Sequence, residues 1–132
     1  MFFILSVDDS DDTLMMQEMA LTRAGHTVVT SMNGEDALNK ISTLPRLDLI
    51  LLDVQMNGMS GPELLKRIRI QHPNIYTKVP VVFVSAQTEP PPVRGAAGWI
   101  RKMTNIDEFV ASVEKFLSYD DSRKHEGVSR AE

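Results

Sequence analysis

Residues 47–53, with the sequence LDLILLD, form a short apolar run that ends in a carboxylate. An apolar run of this length is typical of a strand that is buried on both faces of a parallel sheet. Two other runs are similar: residues 4–7 (ILSV) are followed by Asp8 and Asp9, and residues 79–84 (VPVVFV) are followed by Ser85. Each of these predicted strands therefore carries a polar side chain directly after its carboxyl end.

Helical segments separate the predicted strands along the chain. The pattern predicts short strands at residues 27–31 and 98–101, and helices over residues 11–24, 35–43, 62–72 and from Asn105 onward. Asn33 is a suitable helix N-cap, Pro62 suits a first helical position, and Gly25 suits a helix end. Strands that alternate with helices predict an α/β fold, in which a parallel sheet carries helices on both faces.

Length and composition limit the class of protein. The 132 residues are enough for one domain, and a net charge of −4 disfavours binding to a nucleic-acid backbone. The chain has no cysteine, which excludes disulfides, zinc–thiolate sites and cysteine nucleophiles. The apolar start is short and has no basic residue before Asp8. We therefore expect neither a signal peptide nor a membrane span, and a cytoplasmic location.

Polar side chains follow four of the predicted strands, at the edge where ligands of open parallel sheets bind. They are Asp8, Asp9, Asp53, Ser85 and Lys102. Converging carboxylates repel one another, and a hard divalent cation with oxygen ligands, such as Mg²⁺, relieves that repulsion. A carboxylate beside such an ion can attack phosphorus, while an ammonium and a hydroxyl contact phosphoryl oxygens. The residues predict a magnesium-dependent phosphoacceptor in which one of these carboxylates receives the phosphoryl group.

Four motifs, taken together and in this order, resemble the receiver domain of two-component response regulators, the CheY-like phosphoacceptor fold. They are residues 7–9 (VDD), 51–56 (LLDVQM) with 58–61 (GMSG), 82–86 (VFVSA) and 99–102 (WIRK). The resemblance covers residues 2 to about 117. It implies a flavodoxin-like (βα)5 doubly wound sandwich, with a five-stranded parallel sheet in the order 2-1-3-4-5.

The resemblance also implies the parts of a phosphorylation site. Asp53 would be the phosphorylated residue, and Mg²⁺ would be bound directly by Asp9, Asp53 and the backbone carbonyl of Gln55. Asp8 would act on the ion through water. The phosphoryl donor would be a histidine kinase or a histidine phosphotransfer protein.

Three more residues take roles from the same resemblance. Lys102 would pair with the phosphoryl group, and Ser85 would hydrogen-bond to it and move with it. Trp99 would be the aromatic switch residue, whose ring turns inward when Ser85 moves. Gln55 and Gln87 would stand at the two variable positions that tune dephosphorylation.

The sequence departs from the family pattern in two places. Lys102 is followed by Met103, where a proline with a cis peptide bond is usual, and a cis bond before other residues costs about 3 kcal/mol. Residues 87–98, which normally contain the helix between the fourth and fifth strands, are short and include prolines at 90–92. Because proline inside a helix costs about 3 kcal/mol, we expect this connecting helix to be shortened or absent.

Residues 1–117 are expected to form the receiver domain, and residues 118–132 a polar, disordered tail. The predicted function is phosphoacceptance with signalling by contact to an unknown downstream protein. The chain is not expected to be an enzyme acting on an external substrate, to contact nucleic acid directly or to bind membranes, and we expect a monomer or weak homodimer. The alternative is an interaction module that is independent of phosphorylation. An aspartate-nucleophile phosphatase is disfavoured, because Gln55 stands where a second aspartate is needed.

The first helix is rich in methionine. Its spacing predicts that Met16 faces the core and that Leu14, Met15 and Met19 face outward. Outward methionines suit partner docking, and receivers commonly meet their kinase or phosphotransfer partner at this helix. Scattered surface apolar residues are an equally good interpretation.

Overall fold

The structure, a computed structural model, describes residues 1–86, 93–102 and 105–126. Five strands lie in these ranges: β1 (Phe3–Val7), β2 (Thr27–Ser31), β3 (Leu49–Asp53), β4 (Val81–Ser85) and β5 (Gly98–Arg101). They form one sheet in the order β2-β1-β3-β4-β5, and every neighbouring pair is parallel. The predicted α/β class and strand order are confirmed.

Helices connect the strands across both faces of the sheet. They are α1 (Asp11–Arg23), α2 (Gly34–Thr43), α3 (Gly61–Gln71), α4 (Pro73–Lys78) and α5 (Ile106–Glu126). The side chains of Ser10, Asn33, Ser60 and Asn105 accept hydrogen bonds from backbone N–H groups in the first turns of α1, α2, α3 and α5, respectively. Each cap satisfies a donor that the helix itself leaves unpaired, which fixes where the helix begins.

Two apolar layers cover the sheet. One contains Leu5, Leu52, Ile68 and Phe83 and is completed by α2, α3 and α4; the other contains Leu51 and is completed by α1 and α5. All five residues of β3 are buried, as expected for the central strand of a sheet that is covered on both faces. A rigid core thus holds the carboxyl ends of β1, β3 and β4 in fixed relative positions.

The predicted orientation of α1 was wrong for two residues. Leu14 is buried, with 3% of its surface exposed, whereas Met16 is 39% exposed. The buried face is formed by Leu14, Gln17, Ala20 and Leu21, and the buried Gln17 carboxamide accepts a hydrogen bond from the Ser6 hydroxyl. Met15 and Met19 are exposed, as predicted.

The connection between α3 and β4 contains a helix that the sequence analysis missed. The helix predicted over residues 62–72 does end there, but Pro73 then opens α4 at its first position, where a missing N–H costs nothing. The expected loss of the helix between β4 and β5 rests on residues 87–92, which lie outside the described residues. In the described part of that connection, residues 86 and 93–97 are not helical.

The last helix is longer than expected. α5 continues to Glu126, so residues 118–126 are helical, where the sequence analysis predicted disorder; residues 127–132 lie outside the described ranges. The apolar stripe ends at Leu117, but extending a helix beyond a packed segment fixes only one residue for each new hydrogen bond. None of the helices in the described part of the chain has the length and hydropathy of a membrane span.

Candidate functional site

The carboxyl ends of the three central strands bring the predicted site residues to one edge of the sheet. In the register, Val7 of β1 lies beside Leu52 of β3, so Asp8 and Asp53 follow at the same level. Asp53 in turn lies beside Val84 of β4. The parallel sheet therefore collects polar groups that are about 45 residues apart in sequence.

Three carboxylates converge at this edge. One oxygen each from Asp8, Asp9 and Asp53 can be chosen so that all three lie within 4.8 Å of one another. Asp8 is 1% exposed and Asp53 is 7% exposed, while Asp9 is half-buried. Because water screens these charges poorly, their repulsion is larger here than it would be at an open surface.

Backbone groups orient two of the carboxylates. The Ser10 N–H donates to Asp8 Oδ1 at 2.9 Å, and the Asn57 N–H donates to Asp9 Oδ2 at 3.0 Å. The Asp8 N–H donates to the Ser31 carbonyl at 3.1 Å, which ties the loop after β1 to the end of β2. The second oxygen of Asp8, Oδ2, is buried and accepts no hydrogen bond of good geometry within the described residues.

The ammonium group of Lys102 bridges two of the carboxylates. Its Nζ lies 3.0 Å from Asp8 Oδ2 and 3.3 Å from Asp53 Oδ1. Burial opposes the charge of Lys102, but the contacts with Asp8 and Asp53 outweigh burial and raise the lysine pKa. For Asp53, burial and then the Asp8 charge raise the pKa of the carboxyl, and the Lys102 charge only partly offsets them.

The remaining predicted residues lie around this group. Ser85 ends β4 and is buried, and its carbonyl accepts from the Lys102 N–H at 2.6 Å, which joins the ends of β4 and β5. Gln55 is exposed in the loop after β3. Trp99 is half-buried in β5, and its register partner on β4 is Phe83. Gln87 and Met103 lie outside the described residues.

Gly61 is a site residue to which the sequence analysis assigned no role beyond membership of the 58–61 motif. A Cβ at this position would lie 2.3 Å from the Asp53 carbonyl oxygen and 2.9 Å from the Phe83 ring. The Gly61 N–H also donates to the Val54 carbonyl at 2.9 Å. The start of α3 thus packs directly on the backbone of Asp53, an approach for which only glycine has room. The glycine directly before Pro62 was the available signal.

The donor set suits a magnesium ion. It consists of oxygen atoms alone, it carries excess negative charge, and the buried Asp8 Oδ2 has capacity for a further electrostatic partner. Asp8, Asp9 and Asp53 are the residues that can hold the ion or its water. Gln55 lies two residues after Asp53, in the exposed loop at the same edge of the sheet.

Comparison with known proteins agrees with this geometry. The family model described as the response regulator receiver domain matches residues 4–114. The chain is 34% identical over 118 residues to the DNA-binding transcriptional regulator NtrC of Escherichia coli K12, covering 86% of this chain and 24% of that protein. It is 33% identical over 127 residues to the nisin biosynthesis regulatory protein NisR of Lactococcus lactis, covering 92% of this chain and 53% of that protein. The chain therefore spans about a quarter to a half of these curated relatives.

Solved structures show the same relationship in three dimensions. The chemotaxis response regulator CheY4 of Vibrio cholerae superposes with a TM-score of 0.78 at 31% identity, over 89% of this chain and 99% of that one. The response regulator TrrA of Thermotoga maritima, solved in complex with Mg(2+)-BeF, superposes with a TM-score of 0.76 at 29% identity, over 89% of this chain and 100% of that one. The chain belongs to the response regulator receiver domain family.

Proposed function

We propose that Asp53 accepts a phosphoryl group from a phosphohistidine of a histidine kinase or histidine phosphotransfer protein. The observation that supports this proposal best is the pairing of a buried carboxylate with a lysine ammonium at 3.3 Å, beside two further carboxylates. The chain assists its own phosphorylation and dephosphorylation, acts on no external substrate and works in the cytoplasm. It signals by contact with another protein as a monomer or weak homodimer.

The chemical step requires only groups that this edge of the sheet provides. An Asp53 carboxylate oxygen attacks phosphorus, the new P–O bond forms, and the P–N bond to the donor histidine breaks, so that the electron pair of that bond leaves with the imidazole. Lys102 faces Asp53 and neutralises charge on the phosphoryl oxygens, and the Ser85 hydroxyl donates to one of them. Such a step depends on positioning and charge neutralisation rather than on a general base.

The carboxylates serve the same step by holding a magnesium ion. Asp9, Asp53 and the Gln55 carbonyl are proposed as its direct ligands, with Asp8 acting through water; the bound ion supplies positive charge next to the transferred oxygens. TrrA was solved with Mg(2+)-BeF, and that structure supports the same ligand class here. Burial and the Asp8 charge raise the pKa of Asp53, and a cation bound beside the carboxylate would favour its ionised form.

Trp99 provides the experiment because it is the only tryptophan of the chain. We expect its fluorescence to change on addition of Mg²⁺ and again on addition of beryllofluoride, a phosphoryl mimic. Asp53→Asn should abolish the second change while the protein remains folded. Wild-type protein that responds to neither addition would exclude the phosphoacceptor function.

An interaction module that does not depend on phosphorylation is not favoured, because Asp8, Asp9, Asp53 and Lys102 are all brought together. Direct contact with nucleic acid is not proposed for a chain with a net charge of −4. NtrC is named as a DNA-binding protein, but this chain spans only 24% of it.

A further inference from the structure

The short helix α4 places an aromatic ring under the edge of the sheet. Tyr76 of α4 is 3% exposed and belongs to the apolar layer that also contains Val81 and Phe83 of β4. Val93, Ala96 and Trp99, which flank or belong to β5, pack against the same layer. A helix that the fold requires only as a connection thus contributes a core residue next to β5.

The chain passes directly over this ring before it enters β5. Gly95 has a φ of +92°, and a Cβ added there would lie 2.4 Å from the Tyr76 hydroxyl oxygen and 2.7 Å from its Cε1. Both the positive φ and the close approach require glycine. The backbone at Gly95 is therefore in contact with Tyr76 three residues before β5 begins.

β5 has support from α5 as well, because Ile100 is buried with Phe109 and Val113 on the other face of the sheet. In the described sheet it is an edge strand of four residues that pairs with β4 on one side. Its start is joined to β4 by the Ala97 N–H, which donates to the Val81 carbonyl at 2.8 Å. Its end is joined to β4 by the Lys102 N–H, which donates to the Ser85 carbonyl. A shift at the start of so short a strand will be transmitted to Trp99 and Lys102.

We infer that Tyr76 is a positioning residue: it supports the start of β5 and thereby sets where Lys102 and Trp99 stand relative to Asp53. The inference rests on the proposed function, because it concerns the lysine that pairs with the phosphoryl group. It assigns to α4 a role in the site.

The two ligands of the site separate this role from general damage. The proposed magnesium ligands lie in the loop after β1, at the end of β3 and in the loop after β3, whereas Lys102 follows β5. Removing the ring should therefore not weaken Mg²⁺ binding, and moving Lys102 away from Asp8 and Asp53 should tighten it, whereas beryllofluoride binding should weaken. For Tyr76→Ala, calorimetric titration should give a Mg²⁺ dissociation constant that is equal to or lower than that of wild type. Beryllofluoride binding at saturating Mg²⁺ should weaken about tenfold, since small misplacements of a transferring group have large effects.

Two variants and one further measurement control this result. Tyr76→Phe keeps the ring and should bind both ligands as wild type does. Ile41→Ala removes a buried side chain of the same layer on α2, so it should lower stability without the selective loss. Acrylamide quenching of Trp99 should increase in Tyr76→Ala and remain unchanged in Tyr76→Phe.

A second route avoids removing the ring. Gly95→Ala should push the chain off Tyr76 and cause the same selective loss of beryllofluoride binding. Gly25→Ala is its matched control, because Gly25 has a φ of +99° but no atom within 4 Å of an added Cβ. It imposes the same backbone strain without a contact and should bind beryllofluoride normally.

Each outcome of these titrations supports or overturns either the positioning role of Tyr76 or the proposed function. Selective loss in Tyr76→Ala and Gly95→Ala, but not in the controls, supports the positioning role. Equal weakening of both ligands, or wild-type beryllofluoride binding in a folded Tyr76→Ala or Gly95→Ala, overturns it and leaves the proposed function intact. Wild-type protein that binds Mg²⁺ but no beryllofluoride overturns the proposed function itself.

Discussion

The carboxylate cluster predicts that Asp53→Asn stabilises the protein when no divalent cation is present. The substitution keeps the shape of the side chain and removes one negative charge. With an effective dielectric constant of about 20, removing the attraction to Lys102 at 3.3 Å costs about 5 kcal/mol. Removing the repulsion from Asp8 and Asp9, at separations up to 4.8 Å, gains about 3.5 kcal/mol for each.

The net gain is about 2 kcal/mol in the free energy of unfolding, and relief of charge burial at Asp53 adds to it in the same direction. Urea unfolding with EDTA, followed by far-ultraviolet circular dichroism, should show a midpoint about 1 M higher than that of wild type. Adding Mg²⁺ should stabilise wild type and not the variant, because a ligand that binds only the native state shifts unfolding by mass action. A variant that is equally or less stable than wild type in EDTA refutes the electrostatic argument.

The same site fixes the sign of the pH dependence. The pKa of Asp53 is raised above its ordinary value of 3.8 in the folded protein, by burial first and by Asp8 next. Between the ordinary and the raised pKa the native state binds more protons than the unfolded state, so stability falls as pH rises through that window. The stability difference between Asp53→Asn and cation-free wild type should therefore shrink as the pH is lowered through the same range.

Two further substitutions test other parts of the site. Gly61→Ala drives a Cβ to 2.3 Å from the Asp53 carbonyl oxygen, and it should cost about 2–3 kcal/mol of stability and weaken Mg²⁺ binding. Gly58 has a positive φ, but no atom lies within 4 Å of a Cβ added there, so Gly58→Ala should retain Mg²⁺ binding. Urea unfolding and Mg²⁺ titration compare the two variants, and equal losses of stability and of Mg²⁺ affinity in both would contradict the packing argument. Lys102→Met removes the cation that competes with Mg²⁺ for Asp8 and Asp53. Mg²⁺ should therefore bind about tenfold more tightly, while beryllofluoride should bind more weakly. Calorimetry that shows weaker Mg²⁺ binding would contradict the ion-pair assignment.

The sequence predicted those features that depend on strand ends. Apolar runs mark buried strands, and parallel pairing brings their carboxyl ends together, so Asp8, Asp53 and Ser85 could be assigned to one edge before any contact was known. The family resemblance then added the strand order and the roles of single residues. The geometry of the carboxylates and Lys102 agrees with these roles, which remain predictions until ligands are bound.

Features that depend on packing between elements were not predictable. Leu14 and Met16 lie on opposite sides of Gln17 on α1, and the buried face includes Leu14 rather than Met16. Hydrophobic spacing alone does not show which of two apolar flanks of a helix faces the core. Gly61 was missed for a similar reason, since its neighbour in space is the backbone of Asp53, which leaves no trace in local sequence.

Two helix boundaries were not predicted correctly from the sequence. Pro73 ends α3 and begins α4, and a proline alone does not show whether a new helix follows it. The polar residues after Leu117 have no apolar stripe, yet they extend an established helix. In both cases the deciding factor is the preceding structure rather than local composition.

Phosphorylation of Asp53 itself tests the central claim most directly. Wild-type protein is incubated with Mg²⁺ and a small phosphodonor such as acetyl phosphate, and its intact mass is then measured. We predict a gain of one phosphoryl group that is removed by hydroxylamine, as expected for an acyl phosphate, and that does not occur in Asp53→Asn or in EDTA. A wild-type mass that stays unchanged, or a gain that persists in Asp53→Asn, would contradict the account.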